Sequence, residues 1–401
     1  MYTTVKNAIM ALEKFIPISP DENIQSDSDL ALARFGHLNR LVDDINAGGL
    51  GGGLYEEGEG LNSSVRCGDL GNIASGERSF VANGLNNTAS GEGSTVLNGN
   101  SNIALGAYSL VHGSGNCATT NAGGSVVLGG NANKAFGANS TIFGARNTIC
   151  AKGTQYHSTI AGGADNLIDG ALGFVGGGIA NQILGHVGSS CNTIVGGEQN
   201  SIVSCYSSSN GTNFIGGGRY NKILTDDTIC INSVHSTISG GCTNRICGYN
   251  YGTIPGGAYN CITNGAALSR QEGGVISGGV FNLVAVNHGS ITGSTRSTIT
   301  GCLSTVSGGN CNIISSEYSS IQAGRNNTVS GAYSSIFGGE GNVACHSHSG
   351  IFGCDITSRM SCAFHSNRIV ITDLPSSSAG LPVGAMWYDP SDGNTVKYVS
   401  V

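Results

Sequence analysis

Charged residues, proline and tryptophan are all scarce in this sequence of 401 residues. Only 11% of the residues are charged, and the chain has 6 Pro and 1 Trp. Globular proteins average about 25% charged residues, so the composition does not fit an ordinary pair or trio of globular domains. Glycine is abundant, with 66 residues, but it does not recur at every third position as collagen requires. The regular spacing of Ile, Val and Leu argues against disorder.

Other absences narrow the functional classes. No run of 18 or more apolar residues occurs, so no membrane-spanning helix is predicted. The N-terminus lacks the apolar core and cleavage motif of a secretory signal. The 14 cysteines contain no Cys-x-x-Cys pair, which favours free thiols acting as small hydrophobes over a disulfide framework.

Charge is concentrated at one end of the chain. Residues 1–60 hold 10 of the 25 acidic residues and 4 of the 18 basic residues, which leaves the rest nearly neutral. Without a basic stripe to neutralise phosphates, we do not expect nucleic-acid binding.

Residue spacing predicts no catalytic site, cofactor or metal. The Gly-rich stretches do not open a helix after a strand, as nucleotide-binding loops do. One pair of histidines leaves an alternative open, because His346 and His348 from three copies could surround a metal ion on a threefold axis. We favour a polar corner beside Cys345 instead.

The dominant feature is a repeat of roughly 15 residues. With Ile or Val as position 0, Gly follows two or three residues later, Asn stands at +6 and a small or apolar residue at +8. A second Gly recurs at +10, and Ser often stands two residues before position 0. Representative core residues at position 0 are Val96, Ile160, Ile194, Ile238, Ile321 and Ile336. The corresponding repeat asparagines are Asn102, Asn166, Asn200, Asn244, Asn327 and Asn342.

This period predicts an all-β parallel solenoid of about 18 turns, with two short strands per turn around positions 0 and +8. Gly at +3 and +10 would supply a positive φ or a tight corner. Asn at +6 would occupy a left-handed corner and bond to the Asn of neighbouring coils. Between Ile160 and Ile276 the step lengthens to as many as 23 residues. The additions follow the Asn-x-Ile element, so they would form loops at one corner.

One family shares this pattern. The stretch Ser94-Thr95-Val96-Leu97-Asn98-Gly99-Asn100-Ser101-Asn102-Ile103-Ala104-Leu105-Gly106 resembles the repeat of the left-handed parallel β-roll head of trimeric autotransporter adhesins. That repeat has the form Ser-x-Val-x-x-Gly-x-x-Ser/Asn-x-Ala-x-Gly-x-x. The resemblance covers about residues 65–355 and implies a left-handed, trimeric β-roll. Most repeats of this chain have one extra residue, and the signal peptide and membrane-anchor barrel of the family are not apparent.

The two ends resemble fibre proteins of tailed bacteriophages and large DNA viruses. The runs that carry this resemblance are Arg34-Phe35-Gly36-His37-Leu38-Asn39 and Gly380-Leu381-Pro382-Val383-Gly384-Ala385-Met386-Trp387-Tyr388-Asp389. They imply an N-terminal virion anchor and an outward C-terminus.

Periodicity within the two ends adds local predictions. Residues 28–46 are predicted to form a helix whose apolar seam would hold three chains together, although packing on its own chain is an alternative. The seam includes Phe35, Leu38, Val42 and Ile45. At the other end, residues 389–393 form a predicted turn between two strands, a β-hairpin able to cap the last coil.

The predicted domains follow from these elements. They are an N-terminal helical anchor and trimerisation segment over 1–50, a Gly-rich linker over 51–64, the β-roll repeat domain over 65–366, and a C-terminal cap over 367–401.

The leading hypothesis is a homotrimeric, non-enzymatic virion fibre or surface-decoration protein for host attachment. It would assemble in the host cytoplasm and stand on the virion surface. Its partners would be other copies of the chain, a capsid or tail protein, and a host glycan or receptor, with no nucleic acid and no membrane insertion.

Two alternatives remain, a bacterial adhesin head and an ice-binding solenoid. Ice binding requires regular Thr rows, and the candidate row is interrupted by Phe80 and Ser320. Its threonines are Thr95, Thr141, Thr159, Thr237, Thr298 and Thr305.

An aromatic line is also expected. Tyr108, Tyr318 and Tyr333 each stand three residues before an Ile or Val. They could bind glycan or contact a neighbouring chain, and we favour the contact.

Overall fold

The protein is seen in a computed structural model that describes residues 55–66, 71–150, 157–185, 191–204, 211–224, 234–264, 271–393 and 395–400. These residues are all-β and contain no helix. They form turns of a parallel β-solenoid with a repeat of about 15 residues, about 18 turns in all, as predicted. Among them no helix is long and apolar enough to cross a membrane. Contacts divide the chain into two compact units, Met1–Gln199 and Asn200–Val401.

Residues 319–333 of the second unit serve as the reference coil. Its A strand is Ser320–Ile321 and its B strand is Thr328–Val329. Ile321 and Val329 point inward and have no exposed surface, so each coil buries two apolar side chains. Between the two strands, Arg325 makes single-residue parallel bridges to the coils on either side. The coil therefore has the two predicted strands and a third, one-residue line of contact.

The first unit repeats this plan. One additional strand, Tyr55–Glu57, pairs antiparallel with the first A strand. The A strands are Ser64–Arg66, Phe80–Val81, Thr95–Asn100, Leu110–Ser114, Val126–Leu128, Thr141–Phe143, Thr159–Ile160, Phe174–Val175 and Thr193–Ile194. The B strands are Ile73–Ala74, Thr88–Ala89, Ile103–Ala104, Cys117–Ala118, Lys134–Ala135, Thr148–Cys150, Leu167–Asp169 and Gln182–Leu184.

The second unit has the same two sheets. Its A strands are Phe214–Ile215, Thr237–Ile238, Thr253–Ile254, Val275–Ile276, Ser290–Ile291, Thr305–Val306, Ser320–Ile321, Ser335–Glu340, Gly350–Cys354 and Phe364–Ser366. Its B strands are Ser201–Val203, Lys222–Leu224, Arg245–Cys247, Cys261–Thr263, Leu283–Val284, Thr298–Ile299, Ile313–Ile314, Thr328–Val329 and Val343–Ala344. Short parallel pairs join Tyr249–Asn250 to Gln271–Glu272 and Gly279–Val280 to Ser294–Thr295. The final pair is the hairpin Met386–Asp389 and Thr395–Tyr398.

Register is kept by the core side chains. Val306, Ile321 and Ile336 stand directly over one another in successive A strands. Ile215 still pairs with Ile238 across the longest step in the sequence. Because a slip of one residue would turn the apolar side chain outward, the buried row holds the register while the corner lengthens.

The repeat asparagines form a buried ladder rather than the predicted left-handed corner. The positive φ belongs to the preceding residue, Asn326 in the reference coil (φ 55°). Asn327 is fully buried. Its Nδ2 donates to the carbonyl of Gly339 in the next coil (3.1 Å), and its Oδ1 accepts the backbone N–H of Asn342 (3.0 Å). The predicted bonding from coil to coil is therefore present, and Asn serves through its amide rather than its backbone.

The two repeat glycines have different roles. Gly at +3 takes a positive φ, as at Gly324 (φ 105°). Gly at +10 does so only at Gly248 among the six glycines that define this position, Gly91, Gly106, Gly137, Gly170, Gly248 and Gly331. At Gly331 a Cβ would overlap the backbone of the next coil. Of the two alternatives predicted at +10, a positive φ or a tight corner, the positive φ is absent from most of these coils, and the close approach of backbones is the reason for the glycine.

The ends of the units differ from their middles. The strand Tyr55–Glu57 lies in the predicted linker 51–64 and covers the edge of the first A strand. In the last coil Ser358 and His365 occupy positions that hold apolar residues elsewhere. The predicted C-terminal hairpin is present, and its role as a cap remains a prediction. The helix predicted for 28–46 lies outside the described residues.

Candidate functional site

The core and ladder residues named from the sequence all lie inside the coils. Val96, Ile160, Ile194, Ile238, Ile321 and Ile336 have no exposed surface. Asn102, Asn166, Asn200, Asn244, Asn327 and Asn342 are also buried. The predicted seam residues Phe35, Leu38, Val42 and Ile45 lie outside the described part of the chain. Candidate contact surfaces are therefore the rows of side chains that the coils point outward.

The corner row consists of the residues three positions before each A-strand core residue. The three tyrosines named from the sequence, Tyr108, Tyr318 and Tyr333, belong to it and are exposed, with positive φ (57°, 52° and 58°). Tyr251, which stands three residues before Ile254, also belongs to it (φ 55°). This backbone conformation points successive side chains along one edge of the solenoid. The three tyrosines thus share one corner position, as their spacing suggests.

In the second unit the corner row forms an aromatic column of Tyr318, Tyr333 and His348. The rings of Tyr318 and Tyr333 are 4.9 Å apart and 2° from parallel, and His348 stacks on Tyr333 at 5.0 Å. The rings thereby cover one another's faces. The column offers edges and hydroxyl groups to a partner, whereas sugars that stack on aromatic residues need an open face.

Tyr108 of the first unit has a polar environment instead. Its hydroxyl donates to the Glu92 carboxylate at 2.7 Å. This hydrogen bond raises the pKa of Tyr108. Arg78 pairs with the same carboxylate. The aromatic line is therefore not continuous through the first unit.

A second aromatic row was not predicted. It consists of the residues just before the ladder asparagines, which also have positive φ. Tyr259 and Phe281 stack there at 4.7 Å, and the guanidinium of Arg296 lies 5.8 Å from the Phe281 ring centre. The dipeptides Tyr259-Asn260 and Phe281-Asn282 could have revealed this row, because the position tolerates large side chains only if it faces solvent.

The outward face of the A sheet differs between the two units. In the first unit it is largely apolar, and its large side chains are Phe80, Leu97, Leu110, Val126, Leu128, Phe143, Phe174 and Val195. In the second unit, between the core positions Ile238 and Ile336, the residues before the core positions form a hydroxyl row with one interruption, Val275. Its members are Thr237, Thr253, Ser290, Thr305, Ser320 and Ser335.

The predicted threonine row is corrected by this register. Thr298 pairs with Leu283 and Ile313 in the B sheet, so it does not belong to the row of Thr305. Phe80 belongs to the first unit, where Leu110, Val126 and Phe174 also interrupt the row. From Thr237 to Ser335 in the second unit, Val275 is the one interruption.

The two histidines singled out from the sequence have separate partners. His346 Nδ1 lies 3.1 Å from the Ser358 hydroxyl, and His348 belongs to the aromatic column. Within one chain, the described residues contain no cluster of three or more His, Cys, Asp or Glu that could hold a metal ion.

Each of the eleven cysteines that the structure describes is half-buried or exposed. They flank the core rather than fill it, and the core positions hold Ile, Val and Ala. Burial raises the pKa of Cys261 and of Cys117. These two thiols are therefore less ionised at neutral pH than an exposed thiol.

The C-terminal hairpin has one polar face. Lys397 Nζ lies 2.6 Å from the Asp389 carboxylate and 3.0 Å from that of Asp392. Hydrogen bonds from Lys397 and Ser391 lower the pKa of Asp389 to about 2. The ammonium of Lys397 also lies 5.8 Å from the ring centre of Trp387.

Comparison with known proteins adds no relative: no protein-family model matches the chain, and no curated protein matches it.

Proposed function

We propose that the protein is the subunit of a homotrimeric virion fibre or surface-decoration protein, whose solenoid winds left-handed and projects from the particle for host attachment. The observation that carries this proposal is the stacking of thin coils within each unit, where most coils bury two apolar side chains and contribute one asparagine to the polar ladder. Such coils repeat their backbone plan many times within each unit, which suits a protein that spans distance and presents contacts.

Polar and apolar rows together stiffen the stacked coils of each unit. Besides the asparagine ladder, a serine row joins neighbouring coils. The Ser334 hydroxyl donates to the carbonyl of His346 and accepts the N–H of Ser349. Hydrogen-bonded buried polar groups favour one arrangement of the backbone, so these two rows help to fix the rise and the register of neighbouring coils.

Trimerisation is proposed because the coils are thin. Each coil encloses two apolar side chains, while the A sheet of the first unit points Phe80, Leu110 and Phe143 outward. Exposed apolar faces of this kind are typical of subunit contacts. Burying one flank of each chain against two others would add the core that a single coil lacks.

The virion setting rests on the resemblance of the two chain ends to viral fibre proteins. It implies a capsid or tail protein as the partner of the N-terminal segment, and a host glycan or receptor as the outer partner. The aromatic column supports an inter-chain or receptor contact through ring edges. Replacing Tyr333 by Ala separates the two, because loss of host binding with unchanged trimer stability would assign the column to the receptor.

Two measurements test the proposal. Light scattering of the purified chain should give the mass of three copies, and a monomer would contradict it. Electron microscopy of intact particles, labelled with an antibody to the C-terminal hairpin, should show label at the tips of surface projections. Label absent from particles would remove the virion hypothesis and leave the fold unaffected.

Ice binding is a second candidate because of the hydroxyl row of the second unit. Thr237, Thr253 and Thr305 stand in the same row with one side chain per coil. Thermal hysteresis that disappears when Thr305 is replaced by Tyr would favour this function. An absence of hysteresis would dismiss it.

A further inference from the structure

The C-terminal hairpin has an uncovered apolar face. Met386 stands opposite Tyr398, and Tyr388 stands opposite Val396, so these four side chains share one face. Met386, Val396 and Tyr398 are 47%, 55% and 72% exposed. A two-stranded hairpin is marginal in water unless a third strand or another surface covers its apolar side.

A second uncovered element precedes the hairpin. Ile369, Val370 and Ile371 are 65%, 76% and 47% exposed. Within the described part of the chain, these three residues belong to no strand and make no hydrogen bond. Consecutive β-branched residues favour an extended strand, and this segment has both its backbone groups and its apolar side chains available for pairing.

We propose that the two elements are the two halves of an interface between copies of this chain. The segment 368–373 of one copy adds as a third strand beside the strand Thr395–Tyr398 of its neighbour and makes that hairpin a three-stranded sheet. Among the residues that the structure describes, no strand pairs with this edge of the hairpin and no sheet includes the segment. Because every copy carries both elements, a closed ring of copies satisfies all of them. The interface rests on the proposed homotrimer and names the surface through which it closes.

Charge supports this pairing in one direction. The segment begins with Arg368 and ends with Asp373, while the hairpin strand follows Asp392 and contains Lys397. Parallel addition places Arg368 near Asp392 and Asp373 near Lys397, which are opposite charges, whereas antiparallel addition places like charges together. The outer edge of the other hairpin strand, Met386–Asp389, already has a partner within the same chain, because the N–H of Tyr388 donates to the carbonyl of Pro375 at 2.9 Å. The open edge is therefore the one beside Thr395–Tyr398.

The test uses the full chain and three substitutions of the same kind. Val370→Asp places a charge in the segment, Val396→Asp places one on the hairpin face, and Val383→Asp is the control. Val383 is 64% exposed and belongs to neither surface. Sedimentation should show trimers for the wild type and the control. Each of the other two variants should raise the concentration at which half of the trimer dissociates by about thirtyfold or more. The double variant should raise that concentration little further, because both substitutions remove the same contact. Circular dichroism should show an unchanged solenoid in all of them.

A cross-link identifies the contact directly. A benzophenone amino acid in place of Tyr398, in an equal mixture of ¹⁴N and ¹⁵N chains, should give linked peptides of mixed isotope that contain residues 368–373. If the wild type is trimeric but both variants keep its dissociation midpoint, or if the cross-link forms only within one chain, this interface is overturned and the trimer stands. A monomeric wild type would overturn the trimer and this interface together.

Discussion

Replacing Asn327 by Ala should weaken the coil stack far more than its small change in volume suggests. The substitution removes the Nδ2 donor to the Gly339 carbonyl and the Oδ1 acceptor of the Asn342 N–H. The Gly339 carbonyl keeps a bond from the N–H of Arg325, but the buried N–H of Asn342 loses its acceptor. A lost hydrogen bond costs about 1 kcal/mol and a buried unsatisfied donor about 1–3 kcal/mol. With the small cavity, the expected loss is about 3–5 kcal/mol of local stability.

Hydrogen exchange of amides measures that loss where it occurs, which matters because a repeat protein need not unfold in one step. Peptides covering the coils that contain Asn327 and Asn342 should exchange at least about a hundredfold faster in the variant. The control is Asn326→Gly. Asn326 is the exposed neighbour with positive φ, and glycine keeps that conformation, so exchange should be nearly unchanged. If both variants exchange at the wild-type rate, the ladder does not stabilise the coils and the reasoning fails.

Three further predictions use other parts of the repeat. Gly331→Ala should destabilise its coil by about 1–3 kcal/mol in the same exchange assay, because the added methyl group overlaps the next coil; wild-type protection would show that the coils can separate. Ser297→Asn alone should destabilise its coil, because the new amide would meet the side chain of Ser294. Adding Ser294→Gly should recover most of the lost stability, as measured by thermal unfolding. Equal losses in the single and double variants would contradict the pairing of a ladder asparagine with a glycine at +3. Hydrogen bonds that lower the pKa of Asp389 to about 2 stabilise the hairpin fully above the ordinary carboxyl pKa of about 4, and this contribution is lost as the pH falls from there through 2. Fluorescence of Trp387, the only tryptophan, should change over that range, and a flat profile would dismiss the effect.

The coil containing Ser294 and Ser297 shows why a ladder asparagine is accompanied by a glycine at +3. In ordinary coils a Cβ at the +3 glycine would lie within 3 Å of the ladder amide, as at Gly279 and Asn282 (2.7 Å). In this coil the shorter Ser297 leaves room for Ser294. The Ser294 hydroxyl donates to the Gly309 carbonyl, and Ser297 accepts the N–H of Asn312. Two serines thus replace one asparagine with its glycine.

The sequence predicts the repeat, its core and its ladder because those positions are set by burial, which recurs in every coil. Ile321 and Asn327 could be assigned from period alone. The period predicts the left-handed corner at Asn327, one residue after its actual place at Asn326. Asn is common at such corners, and the reference coil has Asn at both positions. The two positions differ in how much the residue type varies from coil to coil. The residue before the ladder is Asn326 here but Tyr259 and Phe281 elsewhere, and only a position that faces solvent accepts side chains of such different size.

The contact surfaces were less predictable than the core. Stacking between Tyr333 and His348 depends on the rise between coils, which no single repeat specifies. Residues 369–371 lie beyond the last coil, so the period gives no information on their partners. Their β-branched sequence indicates a strand. The sequence does not distinguish a strand that pairs with a second chain from one that pairs within the same chain.

Electron cryomicroscopy of the purified full chain is the most direct test of the central claim. We expect particles in which three chains run side by side around a threefold axis. Each chain should be built of coils about 4.8 Å apart that wind left-handed, with the asparagines in line. Single-chain particles, or coils whose Ile and Asn positions are out of line, would contradict it.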